Sequence, residues 1–137
     1  MTRSRGAARR AQGDAGSISA FVVVLTVALV MCAGLVFDGG RLVGARVTAS
    51  DRAAGAARAG AQEIAVMADG SVVLDPTRAT SRARAYLIAN GAQGRVSVAE
   101  GQVTVTVEQR VPMTLLRVIG VGTRTVTATR SAIPVDH

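Results

Sequence analysis

An uncharged run of twenty-three residues, Ala15 to Phe37, constrains this 137-residue chain more than any other feature. Within it, GSISAFVVVLTVALVMCAGLVF (residues 16–37) has three hydroxyls, on Ser17, Ser19 and Thr26, as its polar side-chain atoms. Hydroxyls of this kind bond back to carbonyls of the preceding helical turn. At 1.5 Å of rise per residue, about 20 such residues cross the hydrocarbon core of a bilayer. A buried soluble helix of this composition needs a large enveloping core, and the rest of the chain is too short to supply one. Residues 17–37 are therefore predicted to be a transmembrane helix. Arg3, Arg5, Arg9 and Arg10 precede the run against a lone Asp14. That excess places the N-terminus in the cytoplasm and the C-terminal domain outside, in a single-pass arrangement in the cell membrane.

The remaining composition excludes most chemistry. The one cysteine, Cys32, sits in the apolar run, and the one histidine, His137, is the last residue. Zinc sites, Cys–His pairs and Ser-His-Asp triads therefore lack their parts. No phosphate-binding glycine loop follows a strand, and no cofactor is implied. All sixteen basic residues are arginine, giving a net charge of +7. They are scattered and lack an aromatic stacking platform, so no nucleic-acid partner is expected.

Beyond the run, Leu42, Ala45, Ala49, Ala53, Ala56, Gly60, Ile64 and Met67 recur at spacings of three and four, which predicts a helix continuing to Ala68. Asp69-Gly70 reads as a turn before a strand from Ser71 to Leu74. Asp75 followed by Pro76 is a helix start, and Gly91 a helix stop. Ala79, Ala83, Tyr86 and Leu87 share the inward face of that helix, with Arg78, Arg82 and Arg84 outward. Arg95–Ala99 and Gln102–Gln109 alternate around Glu100-Gly101, a hairpin with Val103, Val105 and Val107 on one face. Pro112 opens the short helical stretch MTLLRVIG, and TRTVTATRSA supplies a last strand. The expected fold is α+β: a long N-terminal transmembrane helix continuing into an extracytoplasmic helix packed on a small antiparallel sheet. The expected domains are a basic cytoplasmic segment or leader (1–16), the transmembrane helix (17–37), its extracytoplasmic extension (38–68) and a small α+β head (69–137).

The sequence DGGR, residues 38–41, ends the apolar run. Asp38 falls at the outer interface, and Arg41, three residues on, is placed to pair with it weakly at the headgroup level. Gly39 and Gly40 lower helix stability and mark a candidate bend. No second carboxylate is near in sequence, so Asp38 to Arg41 read as a membrane-exit cluster rather than a catalytic or metal site. Three processing fates compete for the N-terminus. A secretory signal lacks a small-x-small cleavage site here, and Met31 stands where a lipoprotein signal wants a small residue before Cys32. Cleavage by a prepilin peptidase between Gly16 and Ser17 fits the geometry of a glycine preceding an apolar run.

DAGSISAFVVVLTVAL, followed by AGLVFDGGRLVGARVTASDRAAGAARAGAQEI, resembles the amino-terminal region of TadE/TadG-like proteins, pilin-like accessories of the Flp (tight-adherence) pilus machinery. The resemblance implies a non-enzymatic structural or accessory component of a Flp/Tad-type pilus or related secretion apparatus. Its implied partners are other Flp/Tad components or pilins, membrane lipid and, for processed members, the prepilin peptidase. Processed members usually carry glutamate at the fifth position after the cut, where this chain has Phe21. The anchored, TadG-like members are the easier match on that point. Gly16, Ala20, Ala28 and Gly34 are small enough to let another pilin helix approach. A membrane-anchored extracytoplasmic binding or tethering module unrelated to pili is the alternative function.

Overall fold

The computed structural model of the chain describes residues 7–134, with side chains from Ser17 onward. Helix α1 is continuous from Ala7 to Ala61, starting ten residues before the expected Ser17. From Ser17 to Ala61 alone its 45 residues make a rod of about 68 Å. Residues 1–6 of the basic segment and the last three residues lie outside the described structure.

The two halves of α1 meet different surroundings. From Ser17 to Phe37 nearly every side chain is exposed, including Phe21, Val24, Leu29, Val30 and Phe37. From Gly34 onward one stripe turns inward, and Ala45, Ala49, Ala53, Ala56, Ala57 and Ala61 are buried. Alanine along this stripe lets the helix lie close against its neighbours, at the cost of little apolar area per residue.

The expected extension of the helix to Ala68 is corrected. After Ala61 the chain turns, and Ile64–Val66 (β1) pairs antiparallel with Val72–Leu74 (β2) in register Ile64↔Leu74. The turn between them is closed by Met67 N–H to Ser71 O at 2.8 Å and Gly70 N–H to Met67 O at 2.9 Å. The i, i+3, i+4 pattern that carried Ile64 and Met67 into the helix is equally satisfied by β-branched residues in a short hairpin. Cross-strand pairing decides between the two, and it is invisible to a helical period.

Asp75 then caps Pro76–Ala89 (α2), its Oδ1 accepting from the Thr77 and Arg78 amides at 3.0 Å each. The helix closes with Ala92 N–H to Leu87 O (2.9 Å) and Gly91 N–H to Ile88 O (3.0 Å). Those two bonds with Gly91 at φ +60° form a Schellman ending. Ala79, Ala83 and Leu87 are buried as the spacing predicts, and Tyr86 is half-buried. Arg78 and Arg82 face outward, 3.6 and 3.9 Å from Glu63.

Gln93–Ala99 (β3) and Gln102–Pro112 (β4) form the predicted hairpin, with Ala99 opposite Gln102. Glu100 and Gly101 both have positive φ, the signature of a two-residue type I′ turn. Thr123–Ala132 (β5) pairs along β4, giving the antiparallel order β3-β4-β5. One face of this sheet presents Val103, Val105, Val107 and Ala128 to α1 and α2. The other carries side-chain pairs Thr104–Ser131 and Thr106–Thr129, both at 2.9 Å. A second, smaller cluster, Ala45, Val111 and Met113 with Leu42, Leu116, Val121 and Val126, packs where the head meets the apolar half of α1.

Candidate functional site: the Asp38 joint

The element that closes the smaller cluster is a short 3-10 helix, Leu116–Ile119, between β4 and β5. A helix start leaves amide N–H groups without internal acceptors, and the residue at its own cap, Leu115, has no side chain able to supply one. Asp38 supplies it from α1. Its Oδ1 accepts from the Thr114 amide at 3.0 Å, and its Oδ2 from Leu115 and Leu116 at 2.9 and 2.8 Å. Arg41 Nη1 donates to the Thr114 hydroxyl, fixing the same turn from one helical turn further along. At the other end Gly120 adopts φ +88°, and Val121 N–H returns to Leu116 O at 3.0 Å.

Asp38 is completely buried, the one buried charged residue among those described. A carboxylate is tolerated there because three amides point at it, and such bonds favour the ionised form. The Leu116 amide has the largest effect in holding its pKa below the ordinary aspartate value. Burial opposes this, and the Thr114 and Leu115 amides and the Arg41 charge reinforce it.

The sign of the pH dependence follows. A carboxyl whose folded pKa lies below its unfolded one contributes stability that is fully present above the unfolded value, and lost as pH falls through the folded value. Exchange protection of the Thr114, Leu115 and Leu116 amides, corrected for intrinsic rates, is expected to hold from neutral pH to the ordinary carboxylate range. It is expected to collapse only below that range, which amide exchange across a pH series will show.

Each predicted position now has a place. Asp38 and Arg41 do not pair with one another as the main event: both reach residues of the loop after β4, 73 to 78 positions away in sequence. Gly39 and Gly40 do not interrupt α1, and a Cβ at either would meet nothing within 4 Å. Gly34 is not free for a neighbouring helix, because a Cβ there would lie 3.2 Å from Leu115 Cβ. Its lack of a side chain is what lets the loop seat against α1. Gly16 and Ser17 lie inside α1. Thr114, Leu115 and Leu116 were missed by the sequence reading, since they contribute backbone amides and no residue type announces that role. Among the described residues no three of His, Cys, Asp and Glu gather as a metal-binding group.

Residues 16–63 match the family model described as Putative Flp pilus-assembly TadE/G-like. The match covers α1 from the candidate cleavage glycine to the turn after Ala61, and so includes Asp38 but not the loop it holds. No curated protein and no solved structure gives a significant match.

Proposed function

We propose, from the TadE/G-like character of residues 16–63, that this chain is a non-enzymatic structural component of a Flp/Tad-type pilus assembly apparatus. It is anchored by residues 17–37, with its N-terminus in the cytoplasm and its head outside. The observation that supports this reading is the change of surroundings along one helix. The family-matched part of α1 is apolar and largely exposed over residues 17–37, then packed into a folded head from Ala45 to Ala61. The helix is uninterrupted across this change, so the head is held at a fixed distance from the bilayer.

The head's far end adds support. The β1–β2 hairpin leaves Ile64, Val66, Met67, Val72 and Val73 exposed, a surface suited to other components of the apparatus. Deleting the gene in its native host is expected to abolish surface Flp pili, with restoration by the full-length chain. Normal piliation in the deletion strain would instead favour an envelope tether unrelated to pili. The intact mass of the membrane-extracted protein then assigns the subtype. Loss of residues 1–16 marks a processed, TadE-like subunit cut at Gly16–Ser17, and an uncut N-terminus marks a permanent TadG-like anchor.

A further inference from the structure

The loop that Asp38 holds does not stop at the level of Asp38. It runs back along the apolar half of α1, so that Leu115, Val118 and Ile119 line a groove with Val27, Val30 and Met31. Eleven residues separate Val27 from Asp38, about 16 Å along the helix axis or half the thickness of a hydrocarbon core. We propose that residues 115–119 dip into the outer leaflet beside the transmembrane helix, and that lipid acyl chains fill the groove between them. This rests on the reading of 17–37 as a membrane span.

Three features of the structure select lipid as the occupant. First, the groove is continuous with the exposed face of the span, so whatever surrounds Val27 and Val30 also reaches Val118 and Ile119. Second, its one polar side chain is spent within the helix: the Thr26 hydroxyl donates to Val22 O at 2.8 Å. Each bare backbone polar group is costly in hydrocarbon, so bonds that satisfy the loop's amides lower the cost of its entry. Here Asp38 takes three amides at the loop's entry, and Val118 N–H to Leu115 O (3.2 Å) and Gly120 N–H to Arg117 O (3.1 Å) close the turn. Third, the exposed charges beside the loop are basic: Arg41 lies one turn beyond Asp38 and Arg117 within the loop itself. Both suit anionic headgroups, with Arg117 long enough to reach that level from the loop.

Asp38 thereby acquires a physical purpose. An apolar tip alone would leave its leading amides bare in lipid, and the buried carboxylate removes that penalty.

The test places single spin labels on the full-length chain, in a Cys32→Ser background, in vesicles of phosphatidylethanolamine and phosphatidylglycerol. Val24→Cys reports the span, Val118→Cys the loop and Ile88→Cys the head; these positions are 68%, 87% and 78% exposed, so labels are accommodated. Collision with a water-soluble nickel reagent is expected to be on the order of tenfold lower at 118 than at 88, with oxygen collision raised, as at 24. Nickel access at 118 equal to that at 88, with 24 still shielded, would overturn the proposal and leave the span intact. Access at both 24 and 118 would overturn the span as well. Shielding at 118 that vanishes on dilution of protein in lipid would show a second copy in the groove, and would equally overturn it.

Discussion

Asp38→Ala is expected to release the loop while leaving the rest of the head folded. The Thr114, Leu115 and Leu116 amides lose the acceptor they share, and buried donors without partners are costly. Their exchange is expected to accelerate on the order of a hundredfold, because opening becomes local rather than global. Amides in β3 and β4 opposite the alanine stripe should be almost unaffected, since Val103, Val105 and Val107 pack on a separate cluster. Asp38→Asn should fare nearly as badly as alanine. An amide offers one acceptor oxygen and turns an NH2 group toward the remaining donors. That comparison separates an amide-holding carboxylate from a polar residue merely marking the edge of a membrane, for which asparagine would serve. Hydrogen exchange of the detergent-solubilised full chain, read at 114–116 and at 103–107, decides between them. Arg41→Ala should produce a smaller version of the same change, because its bond to the Thr114 hydroxyl is exposed.

Gly60→Leu is expected to prevent the head from closing. At Gly60 α1 lies tightly against α2: a Cβ there would sit 2.9 Å from the Ala79 carbonyl, 3.1 Å from Val103 Cγ1 and 3.3 Å from Ala83 Cβ. The first of these is backbone within α2 and cannot swing aside. Alanine should already cost about 1–3 kcal/mol through overpacking. Leucine projects its branch into the alanine-valine core and should remove the cooperative thermal transition of the head. Whole domains are stable by only about 5–15 kcal/mol, and this one buries few large side chains. Gly44→Ala is the control: open space surrounds that position in mid-helix, so the substitution should stabilise by about 0.5–1 kcal/mol. A Gly60→Leu protein that melts cooperatively at the wild-type temperature would contradict the packing described here.

The local features of this chain were legible because their causes lie within a few residues of one another. The apolar run that opens α1, the Asp75-Pro76 start of α2 and its Gly91 stop each depend on neighbours in sequence. So do the Glu100-Gly101 turn and the inward face of Val103, Val105 and Val107. The family resemblance was likewise carried by a contiguous stretch.

What the tertiary structure decided lay elsewhere. It ended α1 at Ala61, because Ile64–Val66 found strand partners in Val72–Leu74 that outcompeted continued helix. It covered Gly34 with Leu115, withdrawing that glycine from any neighbouring helix. It made Asp38, which follows the apolar run, the cap of a loop 76 to 78 residues away. A carboxylate's partners here are backbone amides, which every residue but proline possesses. Only the folded path of the chain selects which three amides arrive, and for that reason no residue pattern could have named them.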